Sequence, residues 1–412
     1  MDNRLFVVYR GSSLVGMKTG KGISLLNQAG GLLSRELAAA LAENWGQVYF
    51  FGPDEGTGYA DGVTLIKMPP YRRASFFSRL GSWLSYLFKA AVRILRERGQ
   101  GPLCIVTNPP IAPVLGYLAK KLRKRPYALL FYDMYPETLI RFAGVRPNSM
   151  LVRLWRAMNA VCIRNADAVV TISPQLADTL RAYCSGPGAC APVEVVPTWV
   201  DTNLIHPVAK HENRFVHEHR QLDKLTVLYA GNMGAVHDLS MLPDIAEQLR
   251  DESKVGFMIV GDGFGKKAIA DRVARLGLTN VTLLPFQDEK DLPFLLAAAD
   301  ISLVALAQGS EGISMPSKTY YAMAAGSALL GISSAGSDLA EVIRNFECGI
   351  NVEPGDVDAA VQAIRSLIGD RRALNRYRHQ ARRSAEQYFG REVCARRMLD
   401  IIGRSLNRYD IP

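Results

Sequence analysis

Short apolar runs that alternate with helical stretches, in two successive series, constrain this sequence of 412 residues more than any single motif. The first series predicts strands at 5–9, 47–51, 63–68, 103–107, 127–132, 168–172 and 194–196, and the second at 226–229, 256–260, 281–284, 301–306 and 328–332. Strands separated by helices call for mostly parallel sheets with helices on their faces, an α/β architecture. A single core stops growing near about 250–300 residues, so a chain of this length divides into two or three domains. The division falls at 1–203 and 222–390, with a final helix, about 391–412, crossing back to the first half. Between the series, 205–224 is polar and holds His206, His211, His217 and His219 without regular ligand spacing, which predicts a solvated connection and no metal site.

The first strand, 5–9, runs into a glycine-rich loop, G-S-S-L-V-G-M-K-T-G-K-G, and a helix over 24–44 that contains Gly30 and Gly31. Strand, glycine loop and helix are the phosphate-contacting order of open α/β domains, although the G-x-G-x-x-G spacing is absent. The net charge of +10 is one-sided: residues 1–200 hold 24 Lys and Arg against 12 Asp and Glu, whereas 201–412 hold 25 against 27. A positive field confined to one half fits an anionic membrane surface, a phosphorylated acceptor or a nucleic acid. Within it, 74–98 places Phe76, Leu80, Trp83, Leu87, Ala91 and Ile94 on one helical stripe among arginines. That pattern suits a crossover helix packed on a sheet and also a helix lying at a membrane interface. The cluster K-K-L-R-K-R at 120–125 adds to the case for peripheral attachment. No apolar run is long enough to span a bilayer, and the start lacks a secretory pattern. Six scattered cysteines without a C-x-x-C pair predict reduced thiols and a cytosolic protein.

The stretch 310–326, S-E-G-I-S-M-P-S-K-T-Y-Y-A-M-A-A-G, carries the chemistry. Pro316 suits the first turn of a helix, where its missing N–H costs nothing. The amides of Ser317, Lys318 and Thr319, with the lysine charge, then form a seat for phosphate. Glu311 just before it has the wrong sign for phosphate and suits neutral donors such as sugar hydroxyls. Asp356 and Asp358, which superficially resemble a metal pair, follow Pro354-Gly355 and read as a helix cap.

Eight motifs then fall in a known order: T-N-P-P (107–110), D-M-Y-P-E (133–137), A-D-A-V-V-T-I-S (166–173), V-V-P-T-W-V-D (195–201), L-Y-A-G-N-M-G (228–234), I-V-G-D-G (259–263), P-S-K-T-Y (316–320) and C-G-I-N-V-E-P-G-D (348–356). The chain resembles the family-four retaining glycosyltransferases of the GT-B fold, and most of all the branch that builds bacterial surface polysaccharides. The resemblance implies two Rossmann-like domains whose parallel sheets face each other across a cleft. It implies transfer from a UDP- or GDP-sugar, without a metal or other cofactor, to a lipid-linked or oligosaccharide acceptor. Such a protein would lie in the cytoplasm, peripheral to the inner face of the cell membrane, with no nucleic-acid partner.

Residue by residue, the resemblance implies that Glu311 contacts the donor sugar and Lys318 holds the diphosphate. Ser317, Thr319 and Tyr320 would complete that stretch. Gly231, Asn232, Gly234, Gly261 and Gly263 would lie along the donor, Phe286 beside the base, and Gly20, Lys21 and Gly22 would close over the phosphates from the other domain. Asp133 would be an acceptor-side or catalytic group, and a cap for the turn before Pro136 is an equal alternative. The family's second glutamate is absent: depending on the anchor, Thr319 or Tyr321 stands there, and Asn232 and His237 replace an Arg and a Lys. A catalytically degenerate scaffold and a nucleotide-sugar epimerase are therefore the rival readings.

Overall fold

A computed structural model of the protein describes residues 22–54, 56, 58–72, 76–96, 101–185 and 190–406. The expected strand at 5–9 and the candidates Gly20 and Lys21 lie outside the described residues. The chain forms two compact units, one running to Pro197 and resuming at Cys394, the other spanning Thr198–Val393.

The first unit holds a seven-stranded parallel sheet of β1 (Ile23–Leu26), β2 (Val48–Gly52), β3 (Val63–Lys67), β4 (Leu103–Val106), β5 (Tyr127–Phe131), β6 (Ala168–Thr171) and β7 (Val193–Val195). Their order is β3-β2-β1-β4-β5-β6-β7. The second unit holds six parallel strands: β8 (Leu225–Asn232), β9 (Val255–Asp262), β10 (Val281–Leu284), β11 (Ile301–Ala305), β12 (Ala328–Ile332) and β13 (Gly349–Val352), in the order β10-β9-β8-β11-β12-β13. Both orders wind outward in two directions from the first strand, the doubly wound Rossmann pattern. Strands sandwiched by helices are buried on both faces, which is why β1, β4, β5, β6, β11 and β12 are fully buried and apolar but for Ser24, Thr171 and Ser302.

The expected helix over 24–44 is corrected. Its first residues are β1, an interior strand of the sheet, with Leu25 opposite Phe50 on one side and Cys104 on the other. The helix begins only at Leu32, after Gly31 at φ 91°. Local helix propensity in I-S-L-L loses to a seat between two strands.

The helix Phe76–Arg96 packs as a crossover element: Trp83, Tyr86, Ala90 and Ile94 are buried, and the Tyr86 hydroxyl donates to the Phe51 carbonyl at 2.8 Å. The deepest line is thus displaced from the expected stripe, of which Leu80, Leu87 and Ala91 are only half-buried.

The polar segment 205–224 is largely solvated, as expected, but it is also anchored to the second unit. Phe215 and Val216 are buried, Asn213 caps the helix Arg214–Glu218, and its amide donates to the Phe294 carbonyl at 2.8 Å. Lys210 reaches the Asp300 carboxylate at 2.6 Å. The histidines serve locally, His217 against the His211 carbonyl and His219 against the Phe215 ring. The expectation of six reduced thiols is corrected too: Cys184 and Cys190 form a disulfide, with Cα atoms 5.8 Å apart, while Cys104, Cys162, Cys348 and Cys394 are free and buried. Cys184 ends the helix Pro174–Cys184 and Cys190 precedes β7, a pair without the C-x-x-C spacing. Asp356 is indeed a helix cap, accepting from the Ala359 amide at 2.9 Å.

Candidate functional site

In a parallel sheet all strands end at one edge, so the turns leaving them converge there. In the second unit the ends of β8 and β9, the turn after β10 and the loop after β11 enclose a pocket of ≈ 340 Å³. Gly231, Asn232, His237, Phe286, Ser317, Lys318 and Tyr321 line it, over an apolar floor of Leu292, Leu295 and Leu296.

Lys318 opens the helix Lys318–Ala324, and its ammonium group donates to the Tyr229 hydroxyl at 2.7 Å and sits 4.0 Å from that ring's centroid. The Tyr229 hydroxyl in turn donates to the Asn232 carbonyl at 2.6 Å. No carboxylate pairs with Lys318 among the described residues. Burial without a counter-charge disfavours the ammonium and lowers its pKa to about 7. His237, whose Nδ1 meets the Ala305 carbonyl at 3.1 Å, is held neutral, its pKa lowered to about 4 by burial and then by the Lys318 charge. The pocket therefore carries one poised cation, and its natural complement is an anion.

The glycines set how closely that cation is approached. A Cβ on Gly231, at φ 140°, would stand 2.9 Å from the Lys318 Nζ. One on Gly261, at φ 142°, would stand 2.0 Å from the Gly231 carbonyl oxygen. Backbone packs on backbone where β8 and β9 end, and Gly263 abuts Met233 in the same way. Gly234 lies against the Asn232 amide. Gly261→Ala is expected to cost about 1–3 kcal/mol from backbone strain alone, read as a lower urea midpoint; an unchanged midpoint would contradict this packing.

Of the expected residues, Gly231, Asn232, Phe286, Ser317 and Lys318 come together. Thr319 and Tyr320 do not: Thr319 is fully buried with its N–H on the Pro316 carbonyl, and the Tyr320 ring packs on Phe389 at 4.3 Å. The helix turns positions 318 and 321 to the pocket and 319 and 320 to the core. Tyr321, which follows Lys318 by three residues, was legible by that spacing alone. The amide seat is thus reduced to Ser317 and Lys318. Glu311 lies in the loop after β11, outside the pocket lining, and its carboxylate accepts a hydrogen bond from the Ser334 hydroxyl.

In the first unit Gly22 stands before β1, at its amino end, with φ 61°. Phosphate sites form at carboxyl ends, so the expected role of Gly22 is corrected. The strand, glycine and helix order is met instead by β1, Gly30-Gly31 and the helix Leu32–Trp45. Asp133 follows β5 at its carboxyl end; water reaches it, yet the surrounding protein raises its carboxyl above the usual carboxylate value. No hydrogen bond fixes its side chain among the described residues, so the capping role for Asp133 has no support.

Residues 33–204 match the family model described as Glycosyltransferase Family 4, and residues 210–384 match Glycosyl transferases group 1. The chain is 28% identical over 349 residues to the putative colanic acid biosynthesis glycosyl transferase WcaI of Escherichia coli, covering 82% of this chain and 84% of that one. It is 24% identical over 305 residues to the probable glycosyltransferase WbjE of Pseudomonas aeruginosa, covering 73% and 74%. In fold it is similar to Anabaena HepE, solved in complex with UDP and glucose, with a TM-score of 0.69 and 18% identity over 93% of this chain and 100% of that one.

Proposed function

The chain belongs to the family-four glycosyltransferases of the GT-B fold, and from that premise we propose that it moves a sugar, with retention and without a metal, from a UDP- or GDP-sugar to a lipid-linked or saccharide acceptor. Its work as a glycosyltransferase agrees with both relatives, and a place in polysaccharide biosynthesis agrees with WcaI, a putative glycosyl transferase of colanic acid biosynthesis. The observation that carries the finer reading is Lys318, a half-buried ammonium with a phenol and, among the described residues, no carboxylate for company, at the carboxyl edge of a Rossmann sheet.

In this reading the diphosphate sits against the Lys318 ammonium and the amides of Ser317 and Lys318, with the base beside Phe286 over the leucine floor. Glu311 meets sugar hydroxyls, and Asp133 serves the acceptor side. As the bond between the anomeric carbon and the diphosphate oxygen breaks, its electron pair passes to the leaving diphosphate. A fixed cation is worth most at that developing charge. The sugar becomes oxocarbenium-like, and the acceptor hydroxyl bonds to the same face while its proton passes to a diphosphate oxygen. A lipid-linked acceptor entails peripheral contact with a membrane.

The pKa of Lys318 gives this reading a pH signature. Free protein is protonated there below about pH 7 and neutral above it, whereas the bound diphosphate favours the ammonium. Binding above pH 7 therefore takes up a proton, and Kd for the nucleotide weakens by close to tenfold per pH unit. Calorimetric titrations with UDP or GDP between about pH 7 and 9 test the slope; a flat profile would contradict this proton uptake.

A scaffold that has lost catalysis is the second reading, favoured by Tyr321 lining the pocket and by neutral Asn232 and His237. Turnover by the isolated chain eliminates it. An epimerase would convert the nucleotide sugar without transferring its sugar to an acceptor.

A further inference from the structure

We propose that a pocket at the amino edge of the first sheet docks a small anionic thiol, which exchanges there with the Cys184–Cys190 disulfide. The pocket has a volume of ≈ 430 Å³, enough for a small ligand. It lies where β6 and β7 begin, against Ile401, Arg404 and Ser405 near the end of the helix Arg391–Leu406. Asp133 stands at the other edge of the same sheet, so this pocket has no part in the acceptor chemistry. Cys190 belongs to its wall, and both bonded cysteines are only half-buried, where a dissolved reagent reaches them.

The charges of the wall select the ligand. Arg164, Arg404 and Glu194 line the pocket, and none of the three has a charged partner among the described residues. Asp167, also in the wall, is already engaged by Lys120 at 2.6 Å and by the Tyr127 amide at 2.9 Å. Two guanidinium groups and one carboxylate are the complement of a molecule with two carboxylates and one ammonium group. A thiol peptide of the glutathione kind has that pattern, whereas a neutral thiol gains nothing from it.

Arg164 also prepares the bond to break. Its guanidinium donates to the Tyr183 carbonyl at 3.1 Å and to the Ser185 carbonyl at 2.8 Å, the two carbonyls that flank Cys184. Cys184 ends a helix, where the partial negative charge of the backbone disfavours a thiolate. A cation held on both sides offsets that charge. In the exchange the thiolate of the docked ligand attacks the Cys190 Sγ, and the electron pair of the disulfide passes to the Cys184 Sγ, which leaves as a thiolate and takes a proton from water. Cys190 then carries the ligand as a mixed disulfide. A second ligand thiolate attacks the ligand's sulfur in it, which frees Cys190 and leaves the ligand as its own disulfide. Two small thiols are oxidised and one protein disulfide is reduced. Neither nucleotide sugar nor acceptor takes part, so this exchange and the sugar transfer can each fail without the other.

The test follows the full chain, oxidised in air, with reduced glutathione or 2-mercaptoethanol at equal thiolate concentration. Acid quenching, alkylation and mass spectrometry report the free thiols and the position of the first adduct. Glutathione is expected to open the bond about tenfold faster than 2-mercaptoethanol, with its adduct on Cys190, and to lose most of that lead in about 1 M salt. Arg404→Glu, at an exposed position, is expected to slow glutathione about tenfold and to leave the 2-mercaptoethanol rate unchanged, which also shows that the bond and its surroundings persist. Glu194→Gln should slow glutathione about threefold. Equal rates for the two thiols, a glutathione rate untouched by Arg404→Glu, a first adduct on Cys184, or free thiols at both positions in the air-oxidised protein would each overturn the proposal.

Discussion

Replacing Lys318 with methionine lowers sugar transfer by about two to three orders of magnitude in kcat, the loss seen when one fixed charge-stabilising donor is removed from a transition state. The fold should survive. Methionine has a similar length, and the change removes an ammonium that burial already disfavours, at the expense of one hydrogen bond to Tyr229. Arginine is a weaker substitute than its charge implies, because the pocket is shaped around a single Nζ against the Tyr229 ring and the Gly231 backbone. Single-turnover assays with a radiolabelled donor separate the chemical step from binding. Turnover within about threefold of wild type would contradict the assignment of Lys318.

The largest stability effect is expected at Asp300, far in sequence from everything it holds. Its carboxylate, buried at the start of β11, accepts from Lys210 at 2.6 Å, from the Thr226 amide at 2.9 Å and from Arg378 at 3.2 Å. It therefore ties 205–224 and the helix Arg371–Ser384 to the first strand of the second sheet. Asp300→Ala strands two cations and a buried N–H. Removing one partner from a buried ion pair costs about 3–5 kcal/mol. The Lys210 and Arg378 side chains keep 22% and 29% of their exposure, so water tempers the loss toward the lower figure. Asp300→Asn, which retains an acceptor for Thr226, should lose less. Urea denaturation reads both, and a loss below about 1 kcal/mol for the alanine variant would mean that the segment is held by its apolar contacts instead.

The strands that the sequence disclosed are those with a distinct local signal. Runs such as 127–131 and 328–332 carry no polar side chain beyond the Tyr127 hydroxyl, as strands buried on both faces require. β1 escaped because I-S-L-L is only four residues long, and pairing with β2 and β4 is what makes it a strand. β13 is four residues long and begins with Gly349, whose place against the Leu329 backbone is a tertiary fact.

The site was legible to the same extent. Gly231 and Gly261 announce themselves because close backbone approach demands glycine, and Lys318 because a proline fixes the turn that presents it. Thr319 and Tyr320 share that turn with Lys318, and which of them face the core depends on the Phe389 ring, which arrives from seventy residues away. Gly22 was misread for a related reason: a glycine before a strand and a glycine after it look alike until the strand is located. The cysteine pair lacks the C-x-x-C spacing that would have marked it.

The account stands on a nucleotide diphosphate resting against Lys318. Isothermal titration of the full chain with UDP and with GDP in EDTA, repeated on Lys318→Met, measures that directly. One of the two nucleotides should bind the wild-type protein without divalent metal and lose at least about tenfold in affinity on the variant; no binding of either, or equal binding to both proteins, would contradict it.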